Sequence, residues 1–257
     1  METLRELFKN NIVAFGVVIS FAWVVSSFVL ASGLSGINKR DTISVTGTAE
    51  RVVDSDAAKW TFSVTRNATP EEYPAMSKQI KVDQVVVEKY LLSQGIEAKD
   101  ITLQPVTSSV VCQSQSQVMY DGQGRQQCSG YFTYSIKQII TVDSLDVKKI
   151  YDLSLNTENI LMQKGVQIQN GSVDFFYTKL ADLRVDLLSM ASKNAKERAV
   201  AIAKSTGDSI GGVKDASQGV FQVTQKNSTD VSDYGSYDTS TIEKKVTAIV
   251  RASFEVK

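Results

Sequence analysis

The chain has 257 residues, 42 % apolar and 22 % charged, enough to bury a core and too polar for a polytopic membrane protein. Lys+Arg and Asp+Glu both number 28, so no net field favours nucleic acid. Histidine is absent, which removes Ser-His-Asp and Cys-His nucleophiles, histidine-bearing zinc sites and imidazole bases; two cysteines are too few for a Cys-rich metal knuckle.

Asn10 to Asn38 carries no charge, and Ile12 to Leu34 is almost continuously apolar. Coiled as a helix at about 1.5 Å per residue, this run spans the roughly 30 Å hydrocarbon core of a bilayer. Ala31-Ser32-Gly33 offers a small-residue cleavage site, but cleaved signals have apolar cores of only about 7–15 residues. The expectation is an uncleaved anchor: one transmembrane helix and a linker over residues 1–40. A folded region over 41–257 follows, divisible at about 41–142 and 143–257. Arg5 and Lys9 before the run balance Lys39 and Arg40 after it, so the positive-inside rule leaves orientation open.

Thr42 to Thr48 alternates β-branched residues and predicts a strand; Asp54-Ser55-Asp56 marks a turn. Ala58 to Thr65 predicts a second strand with Trp60, Phe62 and Val64 on one face. Thr69-Pro70-Glu71-Glu72 opens a helix whose stripe is Met76, Ile80, Val87 and Leu91, stopped by Gly95. Ile101 to Val111 and Tyr131 to Val142 predict the arms of a hairpin. Asp143-Ser144-Leu145 opens a short helix through Val147, Ile150, Tyr151 and Leu153, and Gly165 to Phe175 alternates as a strand. A long helix runs from about Thr178 to Thr206 with Leu180, Leu183, Leu187, Ala191, Ala195, Ala199 and Ile202 on its face; Gly207 stops it. Val213 to Val223 and Lys245 to Val256 are the last strands, separated by a polar segment without periodicity that predicts a mobile loop. This order fits an α+β fold of antiparallel hairpins packed with long amphipathic helices, preceded by one N-terminal transmembrane helix.

Cys112 and Cys128 bracket a segment of Gln and Ser with Asp121-Gly122 near its middle. A two-residue turn there would set Cys112 opposite Tyr131, so the loop is longer or the cysteines are not directly opposite. Both lie in polar surroundings where a buried free thiol is not expected, and two exposed thiols so close would oxidise. A disulfide is expected, hence an oxidising compartment beyond the membrane.

Several stretches resemble one family. Ile43-Ser44-Val45-Thr46-Gly47-Thr48-Ala49-Glu50 with Asp54 to Val64 resembles the opening strands of SIMPL-domain proteins, a family of oxidative-stress-defence and periplasmic immunogenic proteins. Leu91 to Ile96 closed by Asp100-Ile101, then Gly130-Tyr131 with Ile140-Thr141-Val142, are similar to its next elements. The Ala-rich run Ala191 to Ala203 with Gly207 and Ile210-Gly211 resembles its long helix. The resemblance covers Thr42 to Lys257 and implies an envelope protein of α+β fold, linked to stress tolerance and, in at least one relative, assembled into a hollow homo-oligomer. It carries no catalytic signature to transfer.

The expected function is therefore a non-catalytic, homo-oligomeric envelope module, single-pass in the inner membrane, with its C-terminal region in the periplasm. Its partners would be itself and, through the N-terminal helix, the lipid bilayer, not nucleic acid. No catalytic, cofactor-binding or metal-ligating residue is assigned, and the only paired site is Cys112 with Cys128. Two alternatives stand beside it. One is a binding module for an unspecified small molecule; the other is a carboxylate-based enzyme using Asp54 with Asp56 or Asp182 with Asp186, which would need such a pair buried to separate its pKa values.

Overall fold

A computed structural model describes residues 16, 19–29, 42–114, 118–124, 126–230 and 232–257. Residues 19–29 form a helix, α1, with Phe21, Trp23 and Phe28 exposed. The rest of the expected anchor, including Ala31-Ser32-Gly33 and the linker to Arg40, lies outside the described residues. Among the described residues no helix is long and apolar enough to cross a membrane.

The chain divides into two compact units, each discontinuous in sequence. The larger comprises Thr48–Ala191 and Gly219–Ile249. Its sheet uses β2 (Ala57–Ala68), β3 (Ile101–Leu103), β4 (Thr107–Cys112), β7 (Phe132–Ser144) and β8 (Ile168–Phe176). The order is β3-β7-β2-β8, with β4 also on β7. All pairs are antiparallel. Because side chains alternate across a strand, Trp60, Phe62 and Val64 share one face, opposite Val142, Ile140 and Gln138 in the ladder. Helices α2 (Tyr73–Ser93) and α3 (Val147–Gln163) cover that face with Ile80, Val87 and Leu91, and Ile150, Leu153 and Leu161.

Local sequence sets these elements. Thr69 and Glu72 exchange hydrogen bonds, Glu72 N to Thr69 Oγ1 at 3.3 Å and Thr69 N to Glu72 Oε2 at 3.1 Å, a capping box one turn ahead of α2. At the other end Gly95 takes φ 75°, which lets Ile96 N donate to Leu91 O at 3.1 Å. The single strand expected from Ile101 to Val111 is broken after Leu103, where Gln104-Pro105-Val106 intervenes and Pro105 has no N–H to donate. The helix expected to be short extends to Gln163, because buried Thr157 and Leu161 continue its inward stripe past Leu153. Asp146 caps it, accepting from Lys149 N at 3.0 Å.

A second sheet contains β1 (Thr42–Asp54), β9 (Ile210–Gln218), β10 (Gln222–Gln225), β11 (Ser236–Tyr237) and β12 (Glu243–Val256). Its order is β1-β12-β10-β11, with β9 also on β12 and β11 parallel to β10. The strand expected over Val213 to Val223 is thus two strands, and the expected loop after it contains β11. The last strand finds its partners within the chain: β9, β10 and β1 all pair with β12.

The smaller unit comprises the described residues before Thr48 together with Ser192–Gln218 and Val250–Lys257. Its core is small: Ala195, Ala199, Ala252 and Phe254, packed with Ile43, Val45 and Ile210. Along α4 (Leu180–Thr206) the buried positions are Leu183, Leu187, Ala191, Ala195, Ala199 and Ala203. Ile202, expected on this face, is instead 45 % exposed. A strict four-residue step carries the stripe to Ala203, one position further on.

Candidate functional site

The cysteine hairpin lies in the larger unit. Beyond β4 the chain forms β5 (Val118–Tyr120) and β6 (Gln126–Cys128), paired antiparallel. Their turn is longer than two residues: Asp121 accepts from Gln123 N through Oδ1 and from Gly124 N through its carbonyl, each at 2.9 Å. Cys112 stands opposite Phe132, and Cys128 opposite Val118, so the cysteines do not face each other in one ladder. Their sulfurs are nevertheless at bonding distance, with Cα atoms 5.5 Å apart. Around this link Val111, Met119, Tyr120 and Tyr131 are exposed, Tyr131 at 84 %. Beside it, Thr69, Pro70, Glu71, Gly130, Tyr131 and Phe132 wall a hollow of about 370 Å³.

The carboxylates considered for catalysis are not gathered into a buried pair. Asp54 is exposed at the end of β1. Asp56 accepts from Thr178 N at 2.7 Å and Thr178 Oγ1 at 2.9 Å, fastening the approach to α4. Asp182 and Asp186 lie on the solvent side of α4, and Arg51 Nη1 reaches Asp186 Oδ2 at 3.4 Å. Among the described residues no cluster of three or more His, Cys, Asp or Glu could hold a metal.

One charged cluster that sequence inspection overlooks is the Lys244 clasp. Lys244 is fully buried, and its Nζ donates to Asp238 O at 2.6 Å and Thr241 O at 2.7 Å, with Asp238 Oδ2 at 3.4 Å. Burial pushes the Lys244 ammonium below its ordinary pKa, and the Asp238 charge only partly offsets this. Burial also tends to raise the Asp238 carboxyl, but hydrogen bonds from Ser240 and Thr241 and the Lys244 charge outweigh it. Its pKa falls well below the usual carboxylate range. The clasp fastens the Asp238–Thr241 end of the polar segment to β12 through the three Lys244 contacts. Its signal was present: Lys244 has the same parity as Val246, Ala248 and Val250, all buried.

A second overlooked group lines the sheet face opposite Trp60. There β2 presents Thr61, Ser63 and Thr65, with Thr141, Ile139 and Lys137 as their partners on β7. Gln169 of β8 stands opposite Ser63. A cleft of about 240 Å³ lies among Thr61, Ser63, Lys137, Ile139, Gln169 and Asn170. The β8 strand bulges there, and Gly171 lies so close to Thr61 O that a side chain would run into it. Asn170 is already committed, accepting from Trp60 Nε1 at 2.8 Å and donating to Ser154 O at 2.6 Å.

These features define an α+β protein with antiparallel sheet ladders and helices packed on one sheet face, carrying a linked cysteine hairpin and a hydroxyl-lined cleft. A model of the SIMPL family, described as a protein of unknown function (DUF541), matches residues 43–254. The chain belongs to that family. No curated protein matches it.

Proposed function

We propose that the chain is a membrane-anchored, non-catalytic assembly module of the bacterial envelope. The uncharged run from Asn10 to Asn38 would hold it in the inner membrane, with the region beyond in the periplasm forming a closed homo-oligomer. A link to stress defence is proposed from the family resemblance.

The observation that carries this function is the linked hairpin. Near the link Val111 of β4, Met119 and Tyr120 of β5, and Tyr131 just ahead of β7 are exposed, and Tyr131 also walls the hollow at Pro70 and Phe132. Single exposed apolar side chains are ordinary, but several on segments joined by one disulfide, with a hollow beside them, suit a partner surface. Among the described residues β9 pairs only with β12, and exposed Val213 to Gln218, carrying Lys214 and Asp215, lies along its other edge. The link itself suits an oxidising compartment.

The test is the mass of the full chain extracted in detergent, measured by light scattering. A closed multiple of the monomer is expected, reduced in size by Tyr120→Ser with Tyr131→Ser. A particle of one chain would overturn the assembly.

A further inference from the structure

The cleft on the open face of the β2–β7–β8 sheet has properties that the assembly does not use. Ser63 is 3 % exposed, and its Oγ has no hydrogen-bond partner; Thr65 Oγ1, one step along the strand, is also buried and unpartnered. A buried hydroxyl without a partner forfeits its hydration with nothing in return, so its presence in the lining of a cleft calls for an explanation. Lys137 stands on the same face and makes no ion pair among the described residues. No carboxylate lines the cleft. The charge balance there is therefore positive, in a chain whose total charge is zero.

We propose that this cleft binds a small oxyanion, a carboxylate or phosphate group, with Lys137 Nζ supplying the charge and Ser63 Oγ a hydrogen bond. An ammonium and a hydroxyl together satisfy an anionic oxygen through charge-assisted hydrogen bonds, the stronger kind. At about 240 Å³ the cleft is below the roughly 300–1,000 Å³ of drug-sized sites, which suits a single sugar acid or sugar phosphate. Gln169 adds an amide at the rim; Asn170 is held by Trp60 and Ser154 and serves the wall. Ser63 Oγ is itself buried, so a ligand oxygen reaches it only when a lining side chain of the cleft moves. The site lies within one chain and does not depend on assembly, so a monomer that binds would overturn the oligomer and leave the site standing.

The experiment is titration calorimetry on the full chain in an uncharged polyoxyethylene detergent, in buffer free of phosphate and carboxylate. The probes are glucuronate, glucose 6-phosphate and glucose. Binding of either charged sugar at one site per chain, with none for glucose, is the expected result. The one that binds names the anion, and binding of both shows recognition of charge. Lys137→Met should weaken binding at least about tenfold, and Lys137→Arg should retain most of it. Ser63→Ala should weaken binding about tenfold while leaving Tm of the free protein unchanged or raised, because it deletes an unpartnered hydroxyl. A structural role for Ser63 would lower Tm instead and overturn its part in the site. No binding of either anion at millimolar concentration by folded chain, or equal binding by Lys137→Met, overturns the proposal.

Discussion

Arg66 of β2 grips Asp83 of α2 with two prongs, Nε to Oδ2 at 2.6 Å and Nη2 to Oδ1 at 2.9 Å. The same Nη2 donates to Gly165 O at 2.6 Å, in the turn between α3 and β8, and Gln79 adds a bond to Asp83 Oδ1 at 3.1 Å. One guanidinium thus ties a strand, a helix and a turn together, with Asp83 only 2 % exposed. Asp83→Ala leaves the Arg66 charge half-sheltered without its partner and should cost about 3–5 kcal/mol. Replacing both, Arg66→Met with Asp83→Leu, should recover much of that, since it removes the charge with its partner. Urea unfolding of the three variants measures this, and a double variant no better than Asp83→Ala would contradict it.

The Lys244 clasp makes stability depend on acid. Asp238 has its carboxyl pKa lowered in the folded chain, against about 3.9 when unfolded. A carboxyl lowered by folding contributes fully above its unfolded value, and that contribution is lost as pH falls from about 4 toward the folded value. Asp238→Asn should therefore be less stable than the parent at pH 7, and the gap should narrow progressively as pH falls below about 4. Denaturant midpoints of both proteins from pH 7 to pH 2.5 decide it; a gap independent of pH would refute this role.

Gly171 should resist every side chain. The obstacle is the backbone carbonyl of Thr61 on the neighbouring strand, which cannot rotate away as a side chain could. Gly171→Ala should cost about 3 kcal/mol, the upper end for overpacking, and a lower melting temperature would report it. Gly122, where a Cβ meets nothing nearby, is the control: Gly122→Ala should change the melting temperature little.

The cysteine link should matter locally. Closing a loop with a sequence separation of 16 contributes about 3 kcal/mol in the chain-entropy model. Cys112→Ser should accelerate amide exchange over β5 and β6 and leave the protection of β2 and β7 as it was, because the core at Trp60 and Ile140 has no share in the link. Exchange rising equally across the whole sheet would contradict that.

Much of this fold is legible in the sequence because alternation and helical spacing are local properties. Trp60, Phe62 and Val64 announce a half-buried strand, Ile80, Val87 and Leu91 a helix face, and Gly95 its end; each lies where the pattern puts it. The limits of elements were less legible wherever a backbone group needed a distant partner. Gln104-Pro105-Val106 interrupts one strand, and Gly219, Val220 and Phe221 divide β9 from β10.

What only the tertiary structure decided is which polar side chains lose water. Ser63 and Thr65 read as an outward polar face, yet flanking strands bury their hydroxyls without partners. Lys244 reads as a surface charge, yet the loop from Asp238 to Thr241 folds over it and supplies its acceptors. Asp182 and Asp186 read as a pair on one helix face, and that face turned out to be the solvated one. Periodicity reports which face of an element is apolar; desolvation of a polar atom depends on the strands and loops that arrive beside it, and these come from far along the chain.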